Sequence, residues 1–189
     1  MAPANDDTVD RIDGYATALF EVARVEGSMG EIEDELFRFA RTLEGNDELR
    51  GVLTDAAVPV GRRMGVVQDL LGDRASQVTT SLVSFIVGIG RARDLPAIID
   101  RLVERAASQK GRVVAEVRSA IPLSDDQHTR LAAALGRATG KQIELKVVVD
   151  PSVLGGLIAQ VGDTVIDGTI RTRLDQLRAQ IGQRSAQNG

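Results

Sequence analysis

Apolar residues recur at three- and four-residue steps through the first hundred or so positions, the period of one face of an α-helix. Ile12, Tyr15, Ala16, Leu19, Val22 and Ala23 trace the first such face, and Gly27 closes it. Ser28 and Glu31 then have the S-x-x-E spacing of a capping box, in which each side chain satisfies a free amide at a helix start. The stripe Ile32, Leu36, Phe39 and Leu43 follows, with Glu33, Asp34 and Arg41 off it, and the acidic run Glu31 to Glu35 reads as a solvated face. After a short piece near Glu48 to Leu53, Pro59 breaks the chain or opens a helix whose stripe is Val60, Met64, Val67 and Leu71. From Val78 to Ile89 the chain is apolar nearly all round, through Leu82, Val83, Phe85, Ile86 and Val87, which predicts a central helix. Asp94 is placed to cap the next one, with Pro96 tolerated in its first turn and Leu95, Ile98, Ile99, Leu102 and Val103 packing inward. Some six helices joined by short loops predict an antiparallel bundle.

The pattern changes after Lys110-Gly111. Arg112 to Ala120 alternates in the manner of a strand, with Val113, Ala115 and Val117 on one face and Glu116 and Arg118 on the other. Ser124 and Gln127 form a second capping-box spacing and open a helix to about Thr139, which Gly140 stops. Ile143, Leu145, Val147 and Val149 alternate with Glu144 and Lys146 as a half-buried strand. Leu157 to Val161 and Thr164 to Ile166 read as two short strands around a tight turn at Gly162-Asp163. A last helix is expected from Thr169 to Ile181. The fold class is therefore mainly α: a six-helix antiparallel bundle over residues 1–106, then a small α+β domain over residues 107–189. At about 80 residues the second unit is small for a self-sufficient core, which favours docking on something else.

Composition narrows the function. Aromatic residues are 3% of the 189 and there is no Trp, so the cores are aliphatic and base-stacking or sugar-stacking sites are disfavoured. Without cysteine there is no disulfide and no thiolate metal site. No apolar run approaches the roughly 20 residues of a membrane span. The acidic start, Met1 to Asp10, resembles neither a secretory signal nor an Arg-rich transit peptide, and a bacterial cytoplasmic setting is the expectation. Residues 1–106 hold 12 basic and 19 acidic side chains, a net −7, whereas residues 107–189 hold 11 and 8, a net +3. Two differently charged halves suit two different partners.

No reactive constellation emerges. His128, the single histidine, shares a stripe with Leu131, Leu135 and Ala138, where packing is the simpler role. Gly136, Gly140, Lys141 and Gln142 imitate a phosphate loop, but the glycines are one residue too close, Gln142 replaces the Ser or Thr that holds magnesium, and Lys141 leads into a strand. Gly88-Ile89-Gly90 imitates a dinucleotide fingerprint, but Arg93 occupies the last glycine position and no strand precedes it. The expectation is a protein that is not an enzyme and uses no cofactor or metal.

The segment from Val149 to Leu177 is distinctive. Gly155-Gly156 stands before a short strand, Gly162-Asp163 follows, then an apolar strand, Asp167-Gly168-Thr169, and an amphipathic stretch with Arg171 and Arg173. With Tyr15-Ala16-Thr17-Ala18-Leu19-Phe20 near the front and the Ile121-Pro122-Leu123-Ser124 turn, it resembles the delta subunit of the F-type ATP synthase, called the oligomycin-sensitivity-conferring protein in mitochondria. The glycines make physical sense alone. Gly155 and Gly156 permit positive φ or close backbone approach, Gly162 with Asp163 reverses the chain, and Gly168 releases it so that Thr169 can cap a helix.

The resemblance implies a stator subunit, one copy per complex, peripheral on the cytoplasmic face of the bacterial membrane and not inserted in it. Its helical bundle would bind the N-terminal tails of the alpha subunits, and its C-terminal unit would hold the b subunits of the peripheral stalk, so that the pair resists the torque of the rotor. For the alpha tails the candidate is a groove between the first and fifth helices, at Tyr15, Leu19, Val22, Leu82, Phe85 and Ile89; for any single one of these, core packing is the simpler reading. For the stalk it is the stripe Ile170, Leu174, Leu177 and Ile181. The rivals are a scaffold unrelated to ATP synthesis and a nucleic-acid module using Arg171, Arg173 and Arg178; scarce aromatics and a charge of only +3 argue against the second.

Overall fold

The computed structural model of the protein describes residues 6–153 and 155–168. The chain divides into two compact units, Met1–Ala106 and Ala107–Gly189.

In the first unit the helices are α1 (Asp6–Val25), α2 (Met29–Gly45), α3 (Asp47–Thr54), α4 (Val60–Leu71), α5 (Gln77–Gly88) and α6 (Leu95–Gln109). The core is mainly aliphatic, as the composition requires, with Ile32, Leu36, Leu43, Leu53, Ile86, Ile98, Ile99 and Leu102 fully enclosed and the rings of Phe20, Phe37 and Phe39 buried with them. Helix ends follow local chemistry. Gly27 leaves α1 at φ +74°, a left-handed conformation that a β-carbon would strain. Asn46 caps α3 by accepting from the Leu49 amide at 2.9 Å. Ser76 caps α5 through the Thr79 amide at 3.2 Å.

Four expectations for this unit are corrected. Ser28 makes no side-chain cap on α2; its backbone, at φ −113° and ψ 33°, is not the extended conformation that aims a cap hydroxyl at the helix amides. Asp94 ends a 3₁₀ turn, Ala92–Asp94, and pairs with Arg91 at 3.7 Å. The buried row of α4 is Arg63, Val67 and Leu71, leaving Val60 and Met64 exposed. Finally, the polar run of α2 and the apolar stretch of α5 both depart from the pattern. Glu33 and Glu35, read as solvated, are buried on α2, whereas the row Gln77, Ser81, Phe85 and Ile89 of α5 and its C-cap is open.

Glu35 shows how a buried charge is accommodated. Its carboxylate accepts from the Ser76 amide at 3.0 Å, the Ser76 hydroxyl at 2.8 Å and the Thr79 hydroxyl at 2.6 Å. One acidic side chain of α2 thereby receives the donors at the start of α5, where a negative charge also meets the positive end of the helix dipole. Burial acts to raise its pKa, but the hydroxyls of Thr79 and Ser76, the Ser76 amide and the charge of Arg38 outweigh that and hold it below its ordinary 4.5. Arg41 ties α2 to α6 through Asp100 and lies over the Phe37 ring, 4.9 Å from its centre.

In the second unit, β1 (Val113–Ser119), α7 (Asp125–Thr139), β2 (Ile143–Val149), β3 (Leu157–Val161) and β4 (Thr164–Asp167) form one sheet in the order β2-β1-β3-β4, with α7 against it. β1 and β2 are parallel, as the intervening helix demands, with Ala115 beside Leu145. β3 runs antiparallel to both β1 and β4. The apolar face collects Ala115, Val117, Leu145, Ala159 and Val161 under Leu135 of α7. The other face carries charge. Glu144 lies 3.1 Å from Lys110, 3.7 Å from Lys146 and 3.8 Å from Arg112, and Lys146 is itself buried. The alternation expected of β2 therefore breaks at both ends of its polarity: Lys146 is enclosed and Val149 is exposed.

The capping box at the head of α7 is complete. Ser124 Oγ accepts from the Gln127 amide at 3.3 Å and Gln127 Oε1 accepts from the Ser124 amide at 2.9 Å. Gly140 closes the helix at φ +68°. The expected helix from Thr169 lies outside the described residues.

Candidate partner-binding surfaces

The six candidates for the alpha-tail groove separate into two groups. Leu19 and Leu82 are core, 4% and 8% exposed. Val22, Phe85 and Ile89 stand 43%, 53% and 42% open, and Tyr15 is half-buried. α1 and α5 both pack on α2, so the open residues sit on two helices that share a neighbour.

Two exposed residues were assigned to the core by their spacing. Val60 and Met64 lie one turn apart on α4, which packs against α5. The two helices meet at Gly88, where an added β-carbon would lie 3.6 Å from Met64 Sδ. Met64 thus adjoins the last turn of α5, where Phe85 and Ile89 project. Met64, Phe85 and Ile89 are exposed apolar residues on two helices that pack together, and singly such residues need no explanation. The thioether of Met64 is flexible and polarizable, which suits an adaptable contact. The residue that sets the rotation of α4 is Arg63, which is buried. Its long apolar stem fills the row that Val60 and Met64 vacate, and its Nε is buried without a hydrogen-bond acceptor among the described residues.

In the second unit the motif glycines divide as well. Gly155 and Gly156 hold φ +63° and +83°, and Gly162 holds +58°. All three occupy backbone that a side chain would strain. Gly162 and Asp163 close the β3–β4 hairpin with positive φ at the first central residue only, the sign pattern of a type II′ turn. Gly168 follows Asp167 of β4 and continues the pairing, its amide donating to the Leu157 carbonyl at 2.9 Å; it carries no positive φ, so its role is not conformational relief. Ile170, Leu174, Leu177 and Ile181 lie outside the described residues, as do Arg171, Arg173 and Arg178.

His128 is half-buried on α7, with Nε2 3.3 Å from the Leu145 carbonyl oxygen; the tautomer carrying the Nε2 proton donates there. That arrangement fastens the helix to the sheet. Among the described residues no group of three or more His, Cys, Asp or Glu is placed to hold a metal ion, and no helix is long and apolar enough to cross a membrane.

A helical bundle followed by a small α+β unit, with apolar side chains left open on folded helices, defines a class of protein built around surfaces. Comparison with known proteins gives the particular family. Residues 12–181 match the ATP synthase delta (OSCP) subunit family. The ATP synthase subunit delta of Streptomyces avermitilis is 43% identical over 173 residues, covering 91% of this chain and 63% of that protein. The ATP synthase subunit b-delta of a Mycobacterium species (strain KMS) is 42% identical over 164 residues, covering 87% of this chain and 37% of that protein. A chain in the cryo-EM structure of the Toxoplasma gondii mitochondrial ATP synthase hexamer superimposes with a TM-score of 0.53 at 29% identity, over 90% of this chain and 96% of that one. The chain belongs to the ATP synthase delta (OSCP) subunit family. It spans a little under two thirds of the length of the curated Streptomyces relatives that it matches.

Proposed function

We propose that this chain is a non-catalytic stator subunit of an F-type ATP synthase, joining the catalytic head to the peripheral stalk and resisting rotor torque during proton-driven ATP synthesis. In this reading residues 1–106 bind the N-terminal tails of the alpha subunits and residues 107–189 bind the b subunits. One copy serves each complex, at the cytoplasmic face of the bacterial membrane. The observation that carries it is the open apolar row at Phe85 and Ile89 on one helix of the bundle, with Val22 and Met64 also exposed. An amphipathic helix laid on such a row contributes free energy through a few anchors in the manner of helix-in-groove recognition. The relative named subunit b-delta supports the second half, because its name joins b and delta in one chain. No bond chemistry is required of either surface.

The test is calorimetric titration of the full chain with a synthetic peptide of the alpha-subunit N-terminus. Full burial of a Phe side chain contributes about 1.5–3 kcal/mol, and roughly half of Phe85 remains to be covered. Phe85→Ala should therefore weaken binding about three- to tenfold, through about 0.7–1.5 kcal/mol. An affinity unchanged by Phe85→Ala and Ile89→Ala together would remove this row from the interface.

A further inference from the structure

The second unit has a groove of about 540 Å³ along α7. Leu123, Leu131 and Leu157, all half-buried, supply its apolar wall, and Ala133 and Ala134 keep it shallow. Arg130 and Arg137 border it. We propose that this groove docks an acidic amphipathic helix of a partner chain, its leucine-type side chains against Leu131 and Leu157 and its carboxylates against Arg130 and Arg137.

The charge pattern selects the occupant. The two arginines are seven residues apart on one helix, so they stand on the same face and about 10.5 Å apart along the axis. Acidic residues seven apart on a second helix would meet both. Neither arginine is committed. Arg137 has no carboxylate partner among the described residues. Arg130 reaches Asp126 only at 3.5 Å, with both side chains more than three-quarters exposed, and such a pair contributes little. Guanidinium groups at an apolar rim favour planar carboxylates, which they bind with two parallel hydrogen bonds. The chain's own residues 169–189 are a poor occupant, because they carry Arg171, Arg173, Arg178 and Arg184 against the single acid Asp175. A nucleic acid would also meet the arginines, but the leucine wall offers it nothing to stack on, since no aromatic residue lines the groove.

This inference rests on the stator reading and supplies a surface and a charge sign for its second partner. The test places a photoreactive amino acid at Ala134 in the full chain, made in cells that assemble the synthase, with a second preparation carrying it at Phe85. The expected result is a cross-link from position 134 into a helical segment of a stalk chain bearing acidic residues seven apart. Its yield should fall at least tenfold when Arg130→Glu and Arg137→Glu are combined, and recover with Arg130→Lys and Arg137→Lys. Far-UV circular dichroism of each variant checks that exposed-site changes leave the fold intact. A cross-link at 134 into residues 169–189, to nucleic acid or to a segment without acids overturns the proposal, as does a yield indifferent to charge reversal. Silence at 134 with cross-linking at 85 into a head subunit removes the groove and leaves the stator reading standing. Silence at both positions within purified synthase removes both.

Discussion

Replacing Glu35 by glutamine takes one charge from the junction of α2 and α5 and leaves the volume unchanged. The carboxylate accepts three hydrogen bonds, from the Ser76 amide, the Ser76 hydroxyl and the Thr79 hydroxyl. A hydrogen bond to a charged group contributes about 1.5–3 kcal/mol and a neutral one about 0.5–1.5 kcal/mol. Three bonds weakened by about 1 kcal/mol each give a loss near 3 kcal/mol at pH 7, to which the lost attraction for the α5 dipole adds a few tenths. For a bundle of this size each kcal/mol moves the midpoint by about 4–8 °C, so Glu35→Gln should melt about 12–24 °C lower by far-UV circular dichroism.

The pH dependence separates a charge effect from a shape effect. The folded carboxyl titrates below 4.5, its ordinary value, so the stabilisation is whole above that pH and is lost as pH falls through the lower, folded-state value. The gap between wild type and Glu35→Gln should hold steady from pH 7 to about 5 and close as the medium is acidified further. A gap under about 0.5 kcal/mol at pH 7 would refute the clamp, being no larger than an ordinary surface substitution. A gap of equal size at acid and neutral pH would refute the role of the charge.

Ser124→Ala should cost about 1 kcal/mol in urea unfolding, whereas Ser28→Ala should cost almost nothing, since only Ser124 makes the cap. Gly162→Ala forces a side chain into φ +58° and should destabilise the second unit by about 1–2 kcal/mol. Gly88→Ala meets only Met64 Sδ, at an ordinary 3.6 Å, so the fold should keep or gain about 0.5 kcal/mol. The same methyl stands beside Met64, one residue from Ile89, and should weaken the alpha-tail peptide in calorimetry; unaltered binding would place the peptide elsewhere.

The helices, their order and the change to a strand pattern after Lys110-Gly111 were legible because period and punctuation agreed: Gly27, Ser124 and Gly140 mark ends where the backbone needs them. The rotation of α4 was not. Val60, Met64, Val67 and Leu71 make a faultless stripe, but a helical wheel sees residue classes and not neighbours, and Arg63 is long enough to serve as a packing side chain. Glu35 was misread because its partners, Ser76 and Thr79, lie 41 and 44 residues away. In the alpha-tail set, an all-apolar stretch such as Val78 to Ile89 contains no information about which side faces water. That Phe85 is open while Leu82 is closed is decided by α2 and α4 on either side of it.

The buried clamp and the open row belong to the same helix, and this bears on binding. Glu35 fixes the first turn of α5 to α2, and Phe85 stands nine residues beyond Ser76, about 13.5 Å along a continuous helix. Val83, Ile86 and Val87 pack the opposite side completely. Phe85 and Ile89 are therefore presented by an element with little freedom left to lose, which lowers the ordering cost that association otherwise carries. A helix held only by its apolar face could slide or rotate by a side-chain width, because aliphatic contacts lack direction. Hydrogen bonds to one carboxylate set both its rotation and its height. Under the proposed stator role this property matters more than affinity, since a contact that shifts under load transmits less of it. On this argument the acid in the core serves the surface, by fixing where the greasy row stands.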